Sequence, residues 1–235
     1  MKKNLIVAHR GASVKERENT IKAFARALEL GADMVELDVR QTRDGKLAVI
    51  HDPDIGGQNI NRLALTELNN IARAKGFEVP ELAQVLRFIK DRILAQIELK
   101  ETGYETKVAK QVLQILRPEE FCMISFNFSS LKNIKQNFPQ IRTGLILGSG
   151  KRRIWTSRWH LLRLKRILPY FNMVAMSEGL WRRGWAQKFP ADLPVCVWTV
   201  DDEPTIKKIL SDPRVSYLTS NNPDLAIKLR GVHAT

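Results

Sequence analysis

Cysteine and histidine are scarce in this chain, and a long apolar run is missing altogether. Two cysteines and four histidines occur among 235 residues. Cys122 and Cys196 each sit inside a strand-like apolar run and neither belongs to a metal-ligand spacing, which argues against a disulfide framework and against a thiolate metal centre. Two buried free thiols in a reducing compartment are expected. The longest apolar stretches are strand-sized and broken by charges, so no membrane span is read. Met1-Lys2-Lys3-Asn4 leads straight into the first strand-like segment instead of the apolar core of a signal peptide, and the expected location is cytoplasmic. No low-complexity linker interrupts the chain. With 44% hydrophobic residues, its length suits one domain, residues 1–235, around a sizeable core.

Acids are also in short supply. The formal net charge is +13, which favours partners that carry phosphate, whether nucleic acid, anionic lipid or a small substrate. Between Arg142 and Gln187 ten Lys and Arg residues face one acid, Glu178. Within that stretch Lys151 to Leu168 has seven basic residues, no acid, and Trp155 and Trp159 four apart; Trp181-Arg182-Arg183-Gly184-Trp185 repeats the theme. Residues 151–185 therefore suit a peripheral contact with anionic membrane, with tryptophan at the interface. The competing reading is an outer helix with a solvated basic face and its tryptophans packed inward.

What the chain has in abundance is alternation. Strand-like runs at Leu5 to His9, Met34 to Val39, Ala95 to Leu99, Cys122 to Phe126, Thr143 to Leu147, Met173 to Met176, Val195 to Val200 and Ser216 to Thr219 alternate with helix-length amphipathic segments. Among the latter are Thr20 to Leu30, closed by Gly31, Tyr104 to Leu116, stopped by Pro118, and Ser129 to Asn137, stopped by Pro139. Helical crossovers allow parallel pairing. A ninth run, Leu47 to Ile50, follows Arg40 after only a short link containing Asp44-Gly45, too short for a parallel crossover. It predicts an antiparallel hairpin that folds His51 back toward Glu36 and Asp38.

Polar clusters stand where these strands end: His9-Arg10-Gly11, Glu36-Leu37-Asp38 with His51-Asp52, and Glu98-Leu99-Lys100. Chemistry gathered at strand ends is the habit of a parallel α/β barrel. Glu36 and Asp38, two apart on a strand, point to one side, and Glu98 on the next parallel strand supplies a third carboxylate. Crowded carboxylates call for a cation. Oxygen ligands without Cys or His favour Mg2+, Ca2+ or Mn2+ over Zn2+. Taken alone, the Glu36 and Asp38 pair reads equally well as solvated strand-end acids; Lys100 and Arg10 beside three acids shift the reading toward phosphate held between a metal and basic side chains. His9 and His51 at converging strand ends are candidates for an acid/base pair. His160 and His233 are expected at the surface.

In sequence order Ala8-His9-Arg10-Gly11-Ala12, Glu18-Asn19-Thr20, Leu30-Gly31-Ala32-Asp33, Val35-Glu36-Leu37-Asp38-Val39, Asp44-Gly45 and Ile50-His51-Asp52-Pro53 resemble the glycerophosphodiester phosphodiesterase family. The likeness continues through Ile97-Glu98-Leu99-Lys100, Ser125-Phe126 and Val197-Trp198-Thr199-Val200. It implies a TIM-type (β/α)8 barrel, with the extra hairpin strand after the second barrel strand, that hydrolyses glycerophosphodiesters to glycerol 3-phosphate and an alcohol with one divalent metal. By that resemblance Glu36, Asp38 and Glu98 hold the metal, His9 and His51 form the acid/base pair, and Arg10 and Lys100 grip phosphate. Phe126 and Trp198 line the substrate by resemblance, whereas by sequence alone each reads equally well as a core aromatic.

Two features depart from the family. Members often carry Thr-Asp before a proline near the C-terminus, where this chain reads Thr219-Ser220-Asn221-Asn222-Pro223, a change expected to act on loop shape and substrate fit. The insert between Asp54 and Pro80 is small, which predicts an open mouth. Lysophospholipase D-like headgroup cleavage at a membrane surface uses the same residues and stays as an alternative. A basic nucleic-acid-binding protein is the alternative of a different class, but no helix-turn-helix, finger or RNA-binding signature accompanies the charge.

Overall fold

Eight of the apolar runs become the staves of a closed barrel. The structure is a computed structural model and describes residues 4–148 and 166–233. The chain begins β1 (Leu5–Ala8), α1 (Ile21–Glu29), β2 (Met34–Gln41), β3 (Leu47–Val49), then a short hairpin of β4 (Asp54–Ile55) and β5 (Gln58–Asn59). It continues α2 (Leu65–Ala74), α3 (Leu82–Ile89), β6 (Leu94–Leu99), α4 (Glu105–Leu113), β7 (Phe121–Ser125), α5 (Phe128–Asn137) and β8 (Arg142–Leu147). Strands β9 (Met173–Ser177), β10 (Val195–Trp198) and β11 (Val215–Ser220) complete the ring, with helices at Glu178–Arg182, Glu203–Leu210 and Pro223–His233.

The parallel order around the barrel is β1, β2, β6, β7, β8, β9, β10, β11. Closure comes from β1, which pairs with β2 through Val7 and Met34 and with β11 through Leu5 and Tyr217. Strand β3 lies outside the ring, antiparallel to β2 with Val39 opposite Val49. The expected hairpin is therefore present, and its turn takes Gly45 to a φ of +76°, a conformation in which glycine has no Cβ to strain.

Period-two alternation sorts the side chains. Val35, Leu37 and Val39 of β2, with Ala95, Ile97 and Leu99 of β6, point outward into a layer sealed by α1, α3 and α4. On the far side Leu145, Val174, Met176, Val195, Val197 and Leu218 do the same under the later helices. Inward, Cys122, Ile124, Ile146, Met173, Ala175 and Cys196 fill the floor of the barrel. Gly144 belongs to that floor, since a Cβ there would lie 2.9 Å from Ile124 Cγ2 and 2.7 Å from Met173 Cγ. Both cysteines are buried free thiols, as expected.

Helix α1 starts where Thr20 caps it by accepting from the Ala23 N–H, and it ends before Gly31 at φ +80°. Helix α4 starts where expected, with Tyr104 as its N-cap and the Tyr104 hydroxyl donating to the Val39 carbonyl and accepting from the Lys100 and Glu101 N–H groups. It ends at Leu113, short of Leu116, where the Ile115 N–H turns to the Val112 carbonyl. The segment between Asp54 and Pro80 packs as a small cluster of Ile55, Ile60, Leu63, Leu68, Ala72 and Val79 against Ala48 of β3. It is tied back to the barrel by the Arg17 guanidinium, 4.5 Å over the Phe77 ring.

Of the basic aromatic stretch, residues 151–165 and with them Trp155, Trp159 and His160 lie outside the described residues. The described part uses its tryptophans for packing. Trp181 and Trp185 sit against the barrel's outer core, and the Trp181 indole donates to Asp212 Oδ2 at 2.7 Å. Both are only partly buried, and Lys188 Nζ stands 4.0 Å over the Trp185 ring. No helix among the described residues is long and apolar enough to cross a membrane.

Candidate active site

The inward polar residues of β2 and β6 include three acids, with Gln96 beside them. Because Asp38 stands opposite Glu98 in the parallel register, and Glu36 lies two residues earlier on the same face, all three carboxylates meet inside the barrel mouth. One oxygen from each lies within 4.8 Å of the others, and all three residues are buried. Burial pushes the Glu36 carboxyl well above the ordinary glutamate range, and Asp38 and Glu98 push it further; Glu98 is raised by burial as well. Asp38 moves the other way. Burial alone would raise it, but Lys100 and Arg10 hold it below its usual value.

Those cations are in contact with the acids. Lys100 Nζ is 2.8 Å from Glu98 Oε1 and 3.2 Å from Asp38 Oδ1. Arg10 Nε is 3.1 Å from Asp38 Oδ2, and its guanidinium also meets Glu18 at 2.9 Å. The Arg10 N–H donates to Glu36 Oε2 at 3.1 Å, from a backbone held at φ +57°. Gly11 follows at φ +84° with Ala23 packed directly against its Cα, so a side chain fits there in neither conformation nor space. That is the reason for glycine in His9-Arg10-Gly11.

Both histidines face the same cavity of about 310 Å³, which Arg10, Glu36, Glu98, Lys100, Phe126 and Trp198 also line. His9 Nε2 lies 4.0 Å from Glu36 Oε2, and burial followed by the charge on Arg10 lowers its pKa. His51 is more open; its Nδ1 sits 2.8 Å from Asp52 Oδ1, and its carbonyl accepts from Arg40 Nε at 2.8 Å. Arg40 is anchored in turn by Glu101. Phe126 and Trp198 meet edge to face at 5.7 Å on the opposite wall. All nine residues singled out from the sequence are thus brought to one mouth.

Several partners carried no role in the sequence reading. Asn19 donates to Asp38 Oδ2 at 2.8 Å and accepts from the Asp38 N–H at 3.3 Å, which fixes that carboxylate from the side. Glu18 orients Arg10. The pattern Glu18-Asn19-Thr20 before a helix start was the available signal, since a polar triplet there reads first as capping. Asn221, expected to shape a loop, instead reaches His9, with Nδ1 2.7 Å from Asn221 Oδ1.

The donor set fits a hard divalent cation. Glu36 Oε1 is buried without a hydrogen-bond partner among the described residues, and three carboxylates compressed into one volume carry a repulsion that such a charge relieves. The residues that would hold it are Glu36, Asp38 and Glu98.

Comparison with known proteins places the chain in a family. The model of the glycerophosphoryl diester phosphodiesterase family matches residues 9–225. A glycerophosphodiester phosphodiesterase of Caldanaerobacter subterraneus subsp. tengcongensis is 32% identical over 250 residues, covering 97% of this chain and 98% of the relative. Among solved structures, a glycerophosphodiester phosphodiesterase from Parabacteroides distasonis superposes with a TM-score of 0.83 at 24% identity, covering all of both chains. An Oleispira antarctica phosphodiesterase solved with its product sn-glycerol-3-phosphate superposes with a TM-score of 0.81 at 20% identity, covering 99% of this chain and 98% of that one. These structures share the barrel. With its sequence matched nearly end to end, this chain belongs to the glycerophosphoryl diester phosphodiesterase family and is a phosphoric diester hydrolase.

Proposed function

We propose that the chain hydrolyses glycerophosphodiesters to glycerol 3-phosphate and an alcohol at the cavity framed by Glu36, Asp38, Glu98, His9 and His51. The observation that carries this reading is the meeting of three buried carboxylates, two basic side chains and two imidazoles around one cavity. Glu36, Asp38 and Glu98 would hold a divalent cation, Mg2+ or Ca2+ with Mn2+ as a third candidate, which would neutralise the carboxylates and supply Lewis-acid stabilisation of phosphoryl charge. Arg10 and Lys100 bind phosphate; both stay charged at neutral pH because the acids beside them outweigh their own burial. One histidine takes the proton of the nucleophile and the other gives one to the departing alkoxide. The nucleophile is either water, giving glycerol 3-phosphate directly, or the adjacent glycerol hydroxyl, which proximity would favour. Attack by that hydroxyl expels the alcohol and leaves a cyclic phosphate, which water then opens to glycerol 3-phosphate. Trp198 and Phe126 line the glycerol or leaving-group side.

Release of glycerol 3-phosphate from a set of glycerophosphodiesters, with chelator and with added Mg2+ or Ca2+, tests this directly. Activity should vanish in chelator and return with metal, and His9→Ala and His51→Ala should each lower kcat by roughly 10²–10⁴-fold. Glu36→Ala should abolish the response to metal. Variants as active as the parent would sink the mechanism. A substrate with hydrogen in place of the adjacent hydroxyl separates the two nucleophiles, since equal rates exclude internal attack.

A further inference from the structure

His9 is held by groups from the other end of the sequence. Its Nδ1 lies 2.7 Å from Asn221 Oδ1, and the Ser13 hydroxyl donates to the same oxygen at 3.2 Å. Asn221 is gripped from behind by Asp201: the backbone N–H donates to Asp201 Oδ1 at 2.8 Å and the amide Nδ2 donates to Oδ2 at 2.7 Å. Ser220 Oγ adds a third donor to Asp201 Oδ1 at 2.9 Å. These groups come from the ends of β1, β10 and β11, three neighbouring staves of the barrel.

The chemistry of the chain runs in one direction. An ionised carboxylate only accepts, so Asp201 takes the NH2 side of the Asn221 amide and turns its carbonyl oxygen toward the imidazole. That oxygen in turn only accepts. The ring nitrogen facing it must therefore be the one that carries the proton, and the lone pair of a neutral imidazole falls on the other nitrogen.

We propose that Asp201 and Asn221 are positioning residues that lock neutral His9 in its Nδ1–H tautomer, so that Nε2 is the nitrogen offered to the reacting proton. The inference rests on reading His9 as one half of the acid/base pair. It also assigns a physical consequence to the departure at Thr219-Ser220-Asn221. An amide at 221 can be steered by Asp201, whereas Asn221→Asp alone would set two carboxylates against each other. His51 is backed differently, by the carboxylate of Asp52 directly. The two imidazoles consequently receive unlike support, one through a neutral amide and one from a charge.

The experiment is two-bond proton–nitrogen NMR of the full chain labelled with 15N-histidine, which distinguishes the Nδ1–H and Nε2–H tautomers. The His9 signals are assigned by their loss in His9→Gln. The parent should show Nδ1–H. Asp201→Ala frees the amide to turn, so Nε2–H should appear, and kcat on a glycerophosphodiester should fall roughly 10–100-fold with KM changed less than about twofold. The exchanged pair D201N/N221D restores a donor facing an acceptor at both steps; it should return the Nδ1–H form and bring kcat to within about threefold of the parent. A merely structural role would lower the melting temperature without moving the tautomer. Nε2–H in the parent, which needs no variant to measure, would overturn the inference, as would an unchanged tautomer in Asp201→Ala. An inactive parent that still shows Nδ1–H, lost in Asp201→Ala, would overturn the proposed reaction and leave the locking intact.

Discussion

Glu36 bears two burdens, burial and two neighbouring carboxylates, and both push its pKa in the same direction. A carboxyl whose folded pKa lies above its unfolded one binds more protons in the native state between the two values, so its contribution to stability is whole below about 4.5 and is lost as pH rises through the raised value. Asp38 has the opposite sign, and its contribution is lost only as pH falls below its ordinary 3.8. In chelator, the neutral isostere Glu36→Gln should therefore melt increasingly above the parent as pH climbs from about 4.5 toward neutrality. A melting-temperature difference that stays constant over that range would contradict the assignment. Saturating Mg2+ or Ca2+ should reverse the order, because a ligand that binds only the native state stabilises the parent by about 2.7 kcal/mol at a hundredfold excess over Kd.

At the scale of the element, the loop after β1 is held in a conformation that few residues tolerate. Arg10 and Gly11 both take positive φ, and a Cβ on Gly11 would come within 2.6 Å of the Ala23 carbonyl carbon. Backbone cannot swing away as a side-chain tip can. Gly11→Ala should cost about 2–4 kcal/mol of unfolding free energy, read by urea denaturation, and should also disturb the Arg10 N–H that meets Glu36. A loss under about 0.5 kcal/mol would mean the loop has another conformation open to it.

The strands and the β2–β3 hairpin were legible because their signals are local: alternation of period two, and a link too short to cross over. Asp44 accepts from the Thr42 hydroxyl within the turn that the spacing predicted. Helix ends were less legible. Tyr104 reads as a helix start and is the N-cap of α4, but the expected end at Leu116 lies beyond the last helical residue, Leu113, because Pro118 marks a stop without fixing where the last turn tightens. The Asp54 to Pro80 segment read as a short insert because its cluster of Ile55, Leu68 and Val79 exists only once α2 has folded back over β4.

Taken as a whole molecule, the barrel keeps its thiols out of reach. Burial pushes Cys122 up to about 12 and Cys196 up to about 11, although Cys196 lines the candidate site. A thiol reagent at about pH 8 should therefore label both residues at the rate of global unfolding, followed by circular dichroism in parallel. Rapid labelling of Cys196 in a fully folded chain would mean that the floor of the cavity opens on its own.

The amino-acid sequence determined by itself that strands alternate with helices, that acids and histidines stand at strand ends, and that Glu36 and Asp38 share a face. Each of these follows from periodicities of two and of three to four, which act between near neighbours. Ring closure decided the rest. Only when β1 lies between β2 and β11 does His9 stand within reach of both Glu36 and Asn221, the latter 212 residues away in sequence. Only the parallel register of β2 and β6 sets Lys100 between Glu98 and Asp38. No local pattern encodes such contacts, because they depend on how every stave of the barrel packs against the next.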